Sequence, residues 1–242
     1  MVPFSKLVKF SREKHGPESL GYASAAVANE GATGDTQIIH TLHRLSACVI
    51  GAFVIVHVFN HLLAVQGIDA HIDFMESFRH LYRQPAIEAL LLGCVLFQIC
   101  SGVLFIKNRW GQRRGFYDRL QAISGGYLAF FLLNHVGAVL YGRSLLHLDT
   151  NFYFAAAGIH VPPFQFYFVP YYFLAVVAVF SHLACAAHWL TRARLTQKGR
   201  NWIGCAIISC GAAVSLIIIL ALSGSLYPVD IPGEYKATYG AE

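Results

Sequence analysis

The stretch HRLSACVIGAFVIVHVFNHLLAV, residues 43–65, decides the fold. No Lys, Arg, Asp or Glu follows Arg44 through Val65, yet the run contains His57, Asn60 and His61. A helix rising about 1.5 Å per residue crosses a hydrocarbon core in about 20 residues, so this run is long enough to span a membrane. Four further apolar stretches of similar length follow at 86–106, 120–141, 165–190 and 202–224. Charged residues make up 13% of the chain, about half the share usual in soluble domains. The fold expected is an all-α membrane protein with five transmembrane helices. Residues 37–225 form the membrane domain, behind an N-terminal segment 1–36 and before a short tail 226–242.

Lys and Arg set the expected orientation. Lys6, Lys9, Arg12, Lys14 and Arg44 precede or open the first span. Lys107, Arg109, Arg113, Arg114 and Arg119 fill the second connection, and Arg192, Arg194, Lys198 and Arg200 the fourth. The opposite side carries Arg79, Arg83, Arg143 and Lys236. The positive-inside rule therefore puts the N-terminus in the cytoplasm and the tail outside. The net charge of +5 follows from this asymmetry and gives no reason to expect nucleic acid as a partner.

The first forty residues lack the apolar core and cleavage site of a secretory signal. Residues 4–14 suit a short basic surface helix, and 16–36, rich in Gly, Ala, Ser and Thr, are expected to be poorly ordered. The connection 144–164 is expected along the membrane interface. All six cysteines fall inside the spans without a CxxC motif, and read as small buried apolar side chains.

Polar groups inside a membrane are costly and usually functional. His57 lies 14 residues beyond His43, so it sits about 21 Å into the span. His135 follows Arg119 by 16 residues and reaches about the same level. Gln98 precedes Lys107 by nine residues and His182 precedes Thr191 by nine, which places both about 13 Å from the inner edge. Two layers result, His57 with His135 in the outer half and Gln98 with His182 in the inner half.

Two neutral imidazoles on facing helices are the axial ligand set of a six-coordinate heme b, so the outer layer points to an electron carrier. Gly51, Gly102, Ser124, Gly125, Gly126 and Gly137 are small enough to make room for a macrocycle. His61, His71 and His80 read as surface or interface residues, with His61 on the same helical face as His57. The fifth span, nearly free of polar groups, reads as a packing helix.

Three stretches carry a resemblance. LSACVIGAFVIVHVF (45–59), LQAISGGYLAFFLLNHV (120–136) and VVAVFSHLACAAHWL (176–190) resemble helices one, three and four of the five-helix cytochrome b membrane-anchor subunit of bacterial succinate dehydrogenases and fumarate reductases. The likeness covers about residues 40–222. It implies a heme-binding bundle made by the first four helices, with His57, His135 and His182 as heme ligands. It also implies an iron–sulfur subunit and a flavoprotein subunit as partners, membrane quinone as substrate, and the bacterial cytoplasmic membrane as location. The chain itself would not carry the dicarboxylate site.

LFQICSGVLFI (96–106) is similar to the family's second helix, but Gln98 stands where the inner heme's histidine is expected. Three readings of the inner layer follow. The inner heme is lost and Gln98 bonds His182, with Phe97 or Phe180 refilling the space; or His182 holds a second heme alone; or His43 or His188 substitutes. In the first, the outer heme is too remote to serve an iron–sulfur partner docked inside, and quinone chemistry moves to the inner surface. HRLSA (43–47) resembles the His-Arg-x-Ser pattern of related anchors, which makes His43, Arg44 and Ser46 candidate quinone residues; the alternative for Arg44 is a snorkelling interface anchor. Phe180 and Ser181 stand where some fumarate-reducing members carry a glutamate, so succinate oxidation is the expected direction. Two other functions fit the same composition: a heme-free transporter or assembly factor, and a heme b protein serving another redox partner.

Overall fold

The computed structural model describes residues 17–112 and 115–240, with side chains from Thr36 onward. The expected basic surface helix 4–14, with Lys6, Lys9, Arg12 and Lys14, and also Arg113 and Arg114, lie outside the described residues. The chain divides into two units, 1–42 and 43–242.

Eight α-helices are present among the described residues: α1 (Pro17–Leu63), α2 (Ile68–Tyr82), α3 (Pro85–Arg109), α4 (Phe116–Ser144), α5 (Phe152–His160), α6 (Gln165–Leu190), α7 (Gln197–Leu222) and α8 (Gly233–Ala237). Five segments are long and apolar enough to cross a membrane: Thr36–Gln66, Pro85–Gln112, Phe116–Ser144, Gln165–Leu190 and Gln197–Leu222. Each contains one expected span nearly whole, and the helix of α1 begins well ahead of its apolar part. Large apolar side chains such as Ile55, Leu96, Leu133 and Leu190 point outward along these segments, a belt that lipid rather than water would cover.

Local chemistry fixes the ends. Pro85 occupies the first turn of α3, where its missing N–H costs nothing. Asn151 accepts from the Tyr153 amide to open α5, and Thr196 accepts from the Gly199 amide to open α7. Gly67, at φ 128°, lets the chain reverse from α1 into α2, a conformation that side-chain-bearing residues rarely adopt.

The membrane helices pack through small residues, as expected where lipid competes equally for apolar contact. Phe180 of α6 sits directly on Gly211 of α7, and Tyr117 of α4 on Gly204. Ser215 donates to the Phe173 carbonyl at 2.9 Å, and Tyr127 to the Tyr171 carbonyl at 2.8 Å. The fifth span is thus a packing helix. Phe180 faces α7, which corrects its expected role as filler of an inner pocket: only glycine at 211 leaves room for it there.

The tightest core lies at the end opposite the basic connections. Ala64, Phe152, Ala156, Ala157, Leu222 and Tyr235 are almost wholly buried together. Residues 152–160 form α5, an apolar helix buried against α6, with Phe168 against Gly158. The tail folds back over it, Tyr227 donating to the Ala64 carbonyl and Tyr235 to the Asp149 carbonyl. Arg79 ties α2 to this cap through Asp149 at 2.7 Å and pairs with Glu76 of its own helix, also at 2.7 Å. Arg143 pairs with Glu88 and Arg83 donates to Thr150, so these cations are partnered. At the other end Arg44, Lys107, Arg119, Arg192, Arg194 and Lys198 are exposed.

Candidate heme-ligand pair and polar layers

His57 of α1 and His135 of α4 meet with ring centroids 5.9 Å apart. Two imidazoles on one metal, each bonded at about 2 Å, place their ring centres about 6 Å apart. The separation of the two rings is therefore the one that two imidazoles on opposite sides of a heme iron would have. Each ring is backed by a phenylalanine four residues earlier, Phe53 on His57 at 5.6 Å and Phe131 on His135 at 5.0 Å, both stacked. This Phe-x-x-x-His spacing occurs on both helices and places the aromatic one turn before its histidine. Among the described residues α1 lacks the extended backbone contact with another membrane helix that joins α6 to α7, α4 to α6 and α3 to α4. It reaches α3 and α4 through side chains, which keeps the backbones of the two histidine helices apart.

Two more histidines continue the row. His61 lies 4.8 Å from His57 and His71 lies 5.1 Å from His61, by ring centroids. His71 corrects the surface assignment: it is 2% exposed, with Asn60 at 3.2 Å from its Nε2 and Phe152 against its ring. Burial, with His57 nearby adding to it, lowers its pKa to about 4, so it is neutral at pH 7. His80 is exposed, as expected. The sequence signal for His71 was its place in a 15-residue helical run after Gly67, too polar to read as a span. No three His, Cys, Asp or Glu converge as a metal-ion site among the described residues.

The inner layer is not one pair. The Gln98 amide donates to the His43 carbonyl and, at 2.8 Å, to Ser46 Oγ, both on α1. His182 instead has Ser124 Oγ at 3.1 Å from its Nδ1, and its ring covers Gly125 of α4. The Gln98–His182 hydrogen bond of the first reading is absent among the described residues, and two separate contacts stand in its place, α1 with α3 and α4 with α6. Equal depth does not determine which neighbour a side chain faces. The small residues expected to make room are mostly used in this packing, Gly102 facing His43 and Gly126 facing Ile106; Gly51 and Gly137 have open surroundings.

The three quinone candidates divide. His43 Nδ1 lies 2.7 Å from Ser101 Oγ, with Phe105 against its ring, and Ser46 is buried beside Gln98. Arg44 is exposed. His188, a second substitute considered for the inner ligand, stacks on Tyr117 at 3.6 Å and accepts from Arg200. All six cysteines are free. Cys185 is buried, Cys94 half-buried, and Cys48, Cys100, Cys205 and Cys210 exposed, so small buried side chains describe only part of the set. Comparison with known protein families, curated proteins and solved structures finds no match.

Proposed function

We propose that the chain is a membrane-anchor cytochrome b subunit of a succinate dehydrogenase or fumarate reductase complex, passing electrons between an iron–sulfur subunit and membrane quinone. The carrying observation is the meeting of His57 and His135, from two membrane helices, at the separation a bis-imidazole heme b requires. When bound there, a heme would supply a one-electron carrier. His57 and His135 would hold it, and Phe53 and Phe131 stack on their rings and fix the ring planes. The reading keeps one heme, in the outer layer; Gln98 and His182 engage different helices rather than each other.

The exposed cations at one end support a cytoplasmic placement of that end in a bacterial inner membrane. The iron–sulfur and flavoprotein subunits dock there, the flavoprotein carrying the dicarboxylate site. Quinone takes two electrons from the iron–sulfur partner and two protons from the aqueous side to become quinol. Arg44 at that end is one donor able to meet a quinone carbonyl.

Purification from native membranes tests the assignment. Flavin and iron–sulfur partners should accompany the chain, with succinate driving reduction of added quinone. A chain that purifies alone, with a heme reduced by quinol but not through succinate, identifies a cytochrome for another partner. A colourless, folded chain identifies the heme-free transporter or assembly factor.

A further inference from the structure

Two adjoining depressions, of about 340 and about 600 Å³, open at the basic end along the start of α7. Both are lined by Gln197, Asn201 and Cys205. The first is also lined by Asp118 at the start of α4 and Trp189 at the end of α6, the second by Lys198 and Trp202. Together they make one crevice with a carboxylate in one part and an ammonium in the other. Asp118 is half-buried and Lys198 exposed, so both charges are accessible. Neither has an ion-pair partner among the described residues.

Helix length places this crevice at the level of lipid headgroups. α7 runs 26 residues and α4 29, about 39 and about 44 Å at a rise of about 1.5 Å per residue, against a hydrocarbon core of about 30 Å. Even with the excess shared between both ends, the first turn of each helix stands outside the hydrocarbon. Asp118 and Lys198 lie in those first turns. Trp189 and Trp202, 40% and 70% exposed, sit where indoles mark a membrane interface.

The walls are polar in a definite sense. Arg200 donates to Gln197 Oε1, and Gln197 donates to Asn201 Oδ1 at 2.9 Å, which leaves the Asn201 amide hydrogens for an outside acceptor. Asp118 accepts from the Gly115 amide with one carboxylate oxygen, at 3.2 Å, and keeps the other for an outside donor. The matching ligand carries an N–H cation for Asp118, an anion for Lys198 and Asn201, and apolar chains to run past Trp202 and the exposed Cys205 into lipid. A purely anionic headgroup leaves Asp118 unmatched, and a trimethylated one brings it no N–H.

We propose that this crevice binds a phospholipid with a primary ammonium headgroup, its ammonium on Asp118 and its phosphate on Lys198 and the Asn201 amide. The site does not depend on the cytochrome reading. Native mass spectrometry of the full chain, with any subunits that accompany it, tests it by the Kd of short-chain phosphatidylethanolamine. This lipid should bind about tenfold more tightly than phosphatidylcholine, which has no N–H, and than phosphatidylglycerol, which has no ammonium; tenfold is the worth of one hydrogen bond to a charged group. Asp118→Asn keeps an acceptor for the Gly115 amide and removes the charge, so it should abolish that preference. Lys198→Gln should weaken phosphatidylethanolamine and phosphatidylglycerol alike, about fivefold. Cys205→Phe, at an exposed position, fills the crevice and should weaken all three lipids. A photoreactive phosphatidylethanolamine should label within 115–118, 189 and 197–205. Equal binding of phosphatidylethanolamine and phosphatidylcholine overturns the site, as does a preference that survives Asp118→Asn. So does a label that falls elsewhere, or one displaced by a short-tailed quinone and not by phosphatidylethanolamine. If Asp118→Asn does not fold, the lipid preference of the parent, Cys205→Phe and the label still decide.

Discussion

Replacing Gln98 with leucine tests how the inner layer is built. The amide makes two bonds across the α1–α3 interface, to the His43 carbonyl and to Ser46 Oγ. Polar contacts between membrane helices contribute about 0.6 kcal/mol on average and at most about 1.7. Two such bonds therefore set a range of about 1–3 kcal/mol. The lower end is expected, because the substitution orphans little. Ser46 Oγ still donates to the His43 carbonyl at 3.2 Å, and Ser101 still partners the His43 ring. Leucine also nearly conserves volume, so no cavity term is added. Gln98→Leu should cost about 1 kcal/mol in mixed-micelle unfolding followed by circular dichroism. Heme content and absorption bands should be unchanged, since Gln98 reaches neither His57 nor His135. A loss above about 3 kcal/mol, or a drop in heme content, would refute the α1–α3 bridge and return Gln98 to a role beside a ligand.

Three further expectations concern the cap and the α6–α7 seam. His71 is held neutral in the fold, its pKa lowered to about 4 from 6.5. The unfolded segment binds more protons in that window, so docking of α2 is strongest above pH 6.5 and weakens as pH falls toward 4. The loss is up to about 3 kcal/mol; protection factors across 68–82, corrected for the slower intrinsic exchange in acid, should fall at pH 4.5, and equal protection at both pH values would show that His71 is not neutral by burial. Arg79→Met removes the bonds to Glu76 and Asp149. Both carboxylates are partly exposed and regain water, so the cost is about 1–2 kcal/mol, read as faster exchange in α2 with the membrane helices unaffected. Gly211→Ala puts a methyl where Phe180 already lies. Such overpacking costs about 1–3 kcal/mol, and a variant as thermostable as the parent would show that α6 and α7 do not meet there.

The membrane helices were legible because length and apolar composition are sufficient evidence for a span, and each expected stretch lies almost wholly in one helix. The outer pair was legible because depth along a straight helix is arithmetic. Depth says nothing about rotation, which is why Gln98 and His182 share a level but face different neighbours. The repeated Phe-x-x-x-His spacing at Phe53/His57 and Phe131/His135 would have supplied part of that missing rotation. His71 was misread for another reason. Its segment is short and mixed in polarity, and it is buried by a long-range contact with Phe152 rather than by its own pattern.

The most direct measurement is the heme b content per purified chain, by pyridine hemochrome, with His57→Ala and His135→Ala alongside. The account predicts about one heme per chain, lost in either variant and retained in Gln98→Leu. About two hemes per chain would contradict the single-site reading and assign a ligand role to His182. A chain with no heme, or one whose heme survives both histidine substitutions, would contradict the central claim.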